Sequence, residues 1–169
     1  MSRFLIDGRA GSGKSAINGE LRKRGYNSHD ADDFPGLASW VDTRTKEPVE
    51  VDPSKYVDYS RVDWDWDGEV LKKVIAENPN LFLCGSASND LDFFNLFDRV
   101  FILTIDPARQ LESLQTRNSP YAKDSRQQQE TIKDQADFVD DALKLGAVAI
   151  ENSGTLEEVV DKILASADV

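Results

Sequence analysis

The sequence predicts an α/β fold, a three-layer sandwich in which a parallel five-stranded sheet carries helices on both faces. Short apolar runs alternate with stretches of helical spacing along the whole chain, the pattern that strand–helix–strand crossovers leave in a sequence. The first apolar run ends in a glycine-rich loop that opens directly into a helix. A length of 169 residues with 40% hydrophobic content supplies one full core, so residues 1–169 are expected to form a single domain.

Phe4 to Ile6 is an apolar run closed by Asp7-Gly8 and reads as a buried parallel strand. Ala16, Ile17 and Leu21 give the stretch from Lys14 to Arg24 one buried face, and Gly25 closes it as a helix. A second strand around Tyr26 to His29 rests on topology more than on propensity, and the acidic cluster Asp30-Ala31-Asp32-Asp33 follows it. Residues 34 to 66 hold Pro35, Gly36, Pro48 and Pro53 with no sustained period, yet they carry Trp40, Tyr56, Tyr59, Trp64 and Trp66. Within them Asp63-Trp64-Asp65-Trp66 alternates as an extended segment with both tryptophans on one side would.

Helical spacing returns at Val70, Leu71, Val74 and Ile75, and Asn78-Pro79 stops it before a strand over Leu81 to Cys84. A short amphipathic helix over Leu91 to Phe97 leads to a buried strand over Arg99 to Ile105. Asp106-Pro107 sets an N-cap beside a proline at the first helical position, opening a helix marked by Leu111 and Leu114. After the loop Arg117-Asn118-Ser119-Pro120, a long polar helix is predicted from about Arg126 to Leu145, with Ile132, Ala136, Val139 and Leu143 on its buried face and Gly146 as its cap. Ala147 to Ile150 is the last strand, and Thr155 with Glu158 forms a capping box for a final helix.

Composition narrows the function classes. The balance of 20 Lys+Arg against 31 Asp+Glu gives a net charge of -11, which repels a phosphate backbone and argues against nucleic acid as a standing partner. The single cysteine, Cys84, can form neither an internal disulfide nor a cysteine-based zinc site. No apolar run is long enough to span a bilayer, and the N-terminal residues enter the first strand without a signal peptide's apolar region. A cytoplasmic protein without a membrane partner, a monomer or at most a weak homodimer, is the expectation.

Gly8-Arg9-Ala10-Gly11-Ser12-Gly13-Lys14-Ser15 satisfies the pattern Gly, four residues, Gly-Lys-Ser, after a predicted strand and before a predicted helix. Glycines at 8, 11 and 13 free the backbone to turn successive N–H groups of the loop, through Ser12 and on to Ala16, toward a phosphate at the positive end of the helix. Lys14 would reach the β- and γ-phosphates of ATP, and Ser15 would ligate Mg2+. Asp33-Phe34-Pro35-Gly36 also fits the Asp, two residues, Gly signature of GTPases, but no strongly apolar strand precedes it and no Asn-Lys-x-Asp motif exists in the chain. A GTPase is therefore not expected.

On this loop, and on the order of its elements, the sequence resembles the small P-loop kinases, the nucleoside-monophosphate-kinase-like set that includes shikimate and gluconate kinases. Asp30-Ala31-Asp32 matches their Asp, any residue, Asp after the second strand; the resemblance makes Asp30 the metal partner and Asp32 the base on the acceptor hydroxyl, with Asp33 a competitor for either role. Cys84-Gly85-Ser86 stands where many P-loop proteins carry the Walker B acid, a departure shared with shikimate and gluconate kinases, whose glycine turn approaches the acceptor; Gly85 is the candidate. Asn89 is a further candidate and equally a helix N-cap.

Residues 117–127 resemble the lid of these kinases, so the resemblance implies that Arg117 closes over the phosphates, with Lys123 assisting and Arg126 a weaker third. Asn152 lies where the related kinases pack a loop against adenine. The irregular region, about 34–78, takes the place of their acceptor-binding segment, where Arg44 or Arg61 would hold an anionic group.

The activity implied is transfer of the γ-phosphoryl of ATP, with Mg2+, to a hydroxyl of a small metabolite. Nucleoside-monophosphate kinase is a variant of that reading. A nucleotide-binding or slowly hydrolysing regulatory module without a small-molecule acceptor is the alternative.

Overall fold

The computed structural model describes all 169 residues. Strand β1, Arg3–Asp7, alternates its buried side chains between two layers: Leu5 enters one apolar cluster, Phe4 and Ile6 the other. The same division runs through β5, Leu81–Cys84, and β6, Arg99–Thr104, whose Leu81, Leu83, Val100 and Ile102 face one side and Phe82, Cys84, Phe101 and Leu103 the other. A sheet buried on both faces requires helices on both, and parallel pairing supplies the crossovers that put them there. Together with β2, Ser28–Asp30, and β7, Val148–Glu151, these strands form a five-stranded sheet in the order β2-β5-β1-β6-β7, with every neighbouring pair parallel.

Helices α1, Lys14–Lys23, and α5, Leu156–Ala167, cover the first face through Ile17, Leu21, Val159, Val160 and Ile163. On the opposite face lie α2, Gly68–Glu77, and α4, Ser125–Lys144, with a 3-10 segment Asp90–Leu96; they contribute Leu71, Val74, Phe94, Phe138 and Ala142. Each large side chain removed from water in these layers contributes about 1.5–3 kcal/mol before conformational entropy is charged against it. Helix α3, Pro107–Thr116, starts as the sequence predicts, with Asp106 Oδ1 accepting the Ala108 N–H at 2.9 Å and proline in its first turn. No helix is long and apolar enough to cross a membrane.

The aromatic region contains a hairpin of its own. Strand β3, Ala38–Asp42, pairs antiparallel with β4, Val62–Trp66, placing Trp40 opposite Trp64 and Ala38 opposite Trp66. Trp66 is buried in the α2/α4 layer and Trp64 packs against its edge.

Several elements differ from expectation. Strand β2 begins at Ser28, so Asp30 ends the strand and caps the 3-10 turn Ala31–Asp33. The helix expected over Leu91 to Phe97 is the 3-10 segment. Helix α4 has its predicted extent but another buried face: Gln127, Thr131, Gln135, Phe138 and Ala142 point inward, while Ala136 and Leu143 are exposed. Glutamine amides satisfy backbone groups there, and such a face carries no apolar signal.

Candidate active site

The loop joining β1 to α1 has a backbone that only glycine adopts easily: Gly11 has φ +82° and Gly13, the residue capping α1, has φ +106°. A Cβ at Gly11 would come within 2.8 Å of the Leu114 side chain, and one at Gly13 would collide with the Asn152 amide. Polar side chains brace the loop from outside. Gln135 Oε1 accepts the Arg9 N–H at 2.6 Å, Gln110 Nε2 donates to Ala10 O at 3.0 Å, and Asn152 Nδ2 donates to Ser12 O at 2.7 Å. Ser12 is buried and its hydroxyl has no partner within the protein. The first turn of α1 presents its unpaired N–H groups and positive dipole end to the same opening.

Lys14 Nζ donates to Gly8 O and, at 3.3 Å, to Arg9 O. Burial pushes its ammonium below the ordinary lysine range, while nearby Asp7 acts against that shift and Arg9 reinforces it. Arg9 itself is clamped in the wall of the cleft above the loop. Its Nη1 donates to Asp90 Oδ2 at 2.6 Å and Ser86 Oγ at 2.9 Å, its Nε donates to Asp134 Oδ2 at 2.7 Å, and its guanidinium stacks 3.8 Å above the Phe138 ring. Asp7, wholly buried at the end of β1, accepts the Gly8 N–H on Oδ1 at 2.6 Å and leaves Oδ2 without a partner. Burial, then repulsion from Asp90, holds its carboxyl well above the usual carboxylate range.

Above the loop opens a cleft of about 990 Å³. Lys14, Ser15, Asp30, Asp32, Gly85 and Arg117 all line it, with Gly11, Gly13 and Ala16. Asp30 Oδ1 accepts the Asp32 N–H at 3.0 Å, which fixes the turn that presents both carboxylates. Asp32 is held above its ordinary value by desolvation and then by the Asp30 charge, with Lys14 acting in the opposite sense. Gly85 approaches that turn closely: a Cβ there would stand 2.5 Å from Ala31 Cβ and 3.0 Å from the Trp66 ring.

Arg117 ends α3 half-buried, its Nη2 donating to Tyr121 O at 3.2 Å and its Nε without a partner. No carboxylate pairs with it, and burial lowers its pKa. A desolvated, uncompensated guanidinium on a cleft wall is suited to an anion.

Other sequence-predicted residues lie apart from this lining. Lys123 directs its ammonium to the carbonyls of Leu114, Gln115 and Arg117 at 3.2, 3.2 and 2.6 Å, closing the end of α3. Arg44 and Arg61 are exposed at the far end of the β3–β4 hairpin, outside the cleft. Asn152 supports the loop from behind, and Arg126 is paired with Glu130 at 3.1 Å. Asn89 exchanges hydrogen bonds with the Trp66 backbone, its Oδ1 accepting Trp66 N–H at 2.8 Å and its Nδ2 donating to Trp66 O at 3.0 Å.

Sequence reasoning missed Asp7, Arg9, Asp90, Asp134 and Gln135. Arg9 stands at a variable position of the glycine motif, and its acidic partners come from distant elements, so no local signal marks them. Trp64 had a signal, the Asp-Trp alternation.

The sheet order, the helices on both faces and the glycine loop at the β1–α1 junction together define the fold of the small P-loop kinases, of the nucleoside-monophosphate-kinase-like kind. Three solved structures share it. A shikimate kinase from Acinetobacter baumannii in complex with shikimate superposes with TM-score 0.62 at 18% identity, covering 96% of this chain and 90% of that one. A shikimate kinase from Bacteroides thetaiotaomicron gives 0.59 at 12% identity, covering 99% of each chain. A gluconokinase from Sinorhizobium meliloti gives 0.58 at 13% identity, covering 99% of this chain and 91% of that one. No protein-family model and no curated protein sequence matches the chain.

Proposed function

We propose that this protein is an ATP-dependent phosphotransferase that moves the γ-phosphoryl group to a hydroxyl of a small metabolite. The observation that carries the reading is the shared cleft: a glycine loop at a helix N-terminus, a lysine, a serine, two carboxylates and an unpaired arginine all face one cavity. Residues 34–78 form the acceptor side and residues 117–127 the lid, within one unit of 169 residues. The kinase fold of the structural neighbours supports the class of reaction by analogy.

The residues fit the group they would hold. Ser12's partnerless hydroxyl and the unpaired Arg117 Nε mark polar groups awaiting an anion, and a hydroxyl with carboxylates is the hard oxygen set that Mg2+ takes. Ser15 and Asp30 would hold the ion, which when bound supplies charge neutralisation on the phosphates. Lys14 leaves the loop carbonyls to meet the phosphate oxygens, and Arg117 meets the charge that spreads over the transferring group. Asp32 accepts the acceptor's hydroxyl proton as its oxygen bonds to phosphorus; the bond from phosphorus to the bridging oxygen breaks, and its electron pair leaves with ADP.

Two carboxylates beside the lysine favour a hydroxyl over a phosphate as the nucleophile, since a phosphate needs no base. The test is ADP release with Mg2+, alone and then against panels of sugars, nucleosides, nucleotides and hydroxy acids. Stimulation by one acceptor establishes the activity. Slow turnover indifferent to all of them would make the protein a regulatory nucleotide-binding module instead.

A further inference from the structure

The acceptor end of the cleft is built unlike its phosphate end. Trp40 and Trp64, opposed across the β3–β4 hairpin, have ring centroids 5.0 Å apart, and Tyr59 lies 5.9 Å from Trp40. Tyr59 OH meets Tyr121 OH at 3.0 Å, which ties this aromatic wall to the loop that follows Arg117. All four side chains line the cavity without being fully buried. They offer apolar ring surface to whatever lies between wall and loop.

The charges lining the cavity are equally one-sided. Its cations are Arg9, Lys14 and Arg117. Arg9 is committed to Asp90 and Asp134, and Lys14 stays on the glycine-loop carbonyls. Arg117, 5.7 Å over the Tyr121 ring at the border of the aromatic wall, is the cation the proposed reaction assigns to the phosphates. The acids lining the same cavity are Asp30, Asp32, Asp63, Glu130 and Asp134, and the exposed Arg44 and Arg61 do not line it. Lys46 and Arg126 pair with Asp63 at 2.8 Å and Glu130 at 3.1 Å from outside the cavity, so they cancel charge without offering a free cation to a ligand. A carboxylate or phosphate placed against this wall would lose water and find only Arg117 as counter-charge, for which the transferred phosphoryl group competes, and that is unfavourable.

We infer that the acceptor is a hydroxylated ring compound with an apolar face and no anionic group: a neutral sugar, an amino sugar or a nucleoside. The inference rests on the phosphotransferase reading and narrows it, because it excludes hydroxy acids and nucleoside monophosphates from the same cavity. The ring stacks on Trp40 and Trp64, and its hydroxyl reaches Asp32.

Tryptophan fluorescence of the whole chain, saturated with ADP and Mg2+, reads binding directly, since Trp40 and Trp64 line the cavity. The probes are matched pairs: a hexose and its aldonic acid, an amino sugar and its uronic counterpart, adenosine and AMP. The neutral or cationic member of at least one pair is expected to bind and its anionic partner to bind at least tenfold more weakly; which pair responds separates sugar, amino sugar and nucleoside.

Trp64→Ala is expected to weaken that binding on the order of tenfold, as loss of a stacking surface does. Should that variant not fold, Asp63→Lys serves in its place and is expected to narrow or reverse the preference against the anionic member. Tighter binding or phosphorylation of an anionic member by the wild-type chain overturns the inference and leaves the phosphotransferase standing. Binding of a neutral member in preference to its anionic partner, with no phosphoryl transfer under ATP, keeps the ligand class of the cavity and overturns the phosphotransferase reading. If no ring compound binds, the inference is overturned.

Discussion

At the level of single residues, Lys14 and Asp32 carry distinguishable consequences. Lys14 is anchored to loop carbonyls, and its removal leaves the α1 cap and the hydrophobic layers untouched. Lys14→Ala is therefore expected to reduce ATP turnover by on the order of 10²–10³ while the thermal melt stays within a few degrees of wild type. A collapsed melt would make the lysine structural. Asp32→Asn is expected to lower kcat by about 10²–10⁴ with nucleotide affinity nearly unchanged, because only the proton acceptor is lost.

The pH profile separates the same role. Desolvation and Asp30 raise the Asp32 pKa, and a base works only when ionised, so wild-type kcat should fall on the acid side at a pH above the ordinary aspartate value of about 3.9. The residual activity of Asp32→Asn should lack that limb; if it keeps the limb, another group is the base. Of the residues in this region, the loop read from motif spacing and Asp30, Asp32 and Arg117, which the resemblance named, share one cleft. Arg44, Arg61 and Lys123 were chosen for charge within a segment, and charge says nothing of the direction in which a side chain points.

Among the elements, α4 shows where a sequence reading loses its phase. Its length and helical period were legible, yet Ile132 and Val139 are only half-buried and Ala136 and Leu143 are exposed, so the predicted face lies beside the one it buries. The buried face instead holds glutamines whose partners are backbone groups of other segments. Gln127 Oε1 accepts the Val57 N–H at 2.6 Å, Gln128 Nε2 donates to Ala122 O at 3.0 Å, and Gln135 Nε2 donates to Leu103 O at 2.6 Å while its Oε1 holds Arg9. The helix thus meets the aromatic region, the Arg117 loop and the glycine loop through these amides, with Asp134 and Phe138 also holding Arg9 and Glu130 accepting from Tyr56.

Hydrophobic periodicity cannot register such a face. Gln135→Leu keeps the volume but orphans one buried donor and one acceptor, so it is expected to cost about 1–3 kcal/mol for each unsatisfied group. Because Arg9 lies in the loop, nucleotide affinity should fall with it, measured by titration of the variant at a temperature where it remains folded. Lost stability with unchanged affinity would show that the loop holds its shape without the amide.

For the molecule as a whole, the layer architecture was legible because successive strands of the large sheet are separated by helical segments in sequence, and alternation alone implies crossovers. The β3–β4 hairpin was visible only as an Asp-Trp alternation, since its partner strand Ala38–Asp42 has no comparable pattern. Least legible was Asp7, an acid at the end of a buried strand whose meaning depends on Asp90, Arg9 and Lys14 arriving from elsewhere.

That residue gives the molecule a dependence on pH with a definite sign. Its folded pKa is raised well above the unfolded value, so between the two the native state binds more protons than the unfolded state, and stability falls as pH rises through that window. Asp42, Asp52 and Asp58, near the surface, are shifted the other way by their hydrogen bonds and lose stabilisation only at pH values below about 4. The two windows barely overlap. Wild-type melting temperature should therefore decline as pH rises above about 4 through the window that ends at the folded Asp7 pKa, while Asp7→Asn, which retains an oxygen for the Gly8 N–H, should decline less. Parallel curves for the two proteins would mean that the Asp7 carboxyl stays ionised throughout, held by Arg9 and Lys14 against its burial and against Asp90.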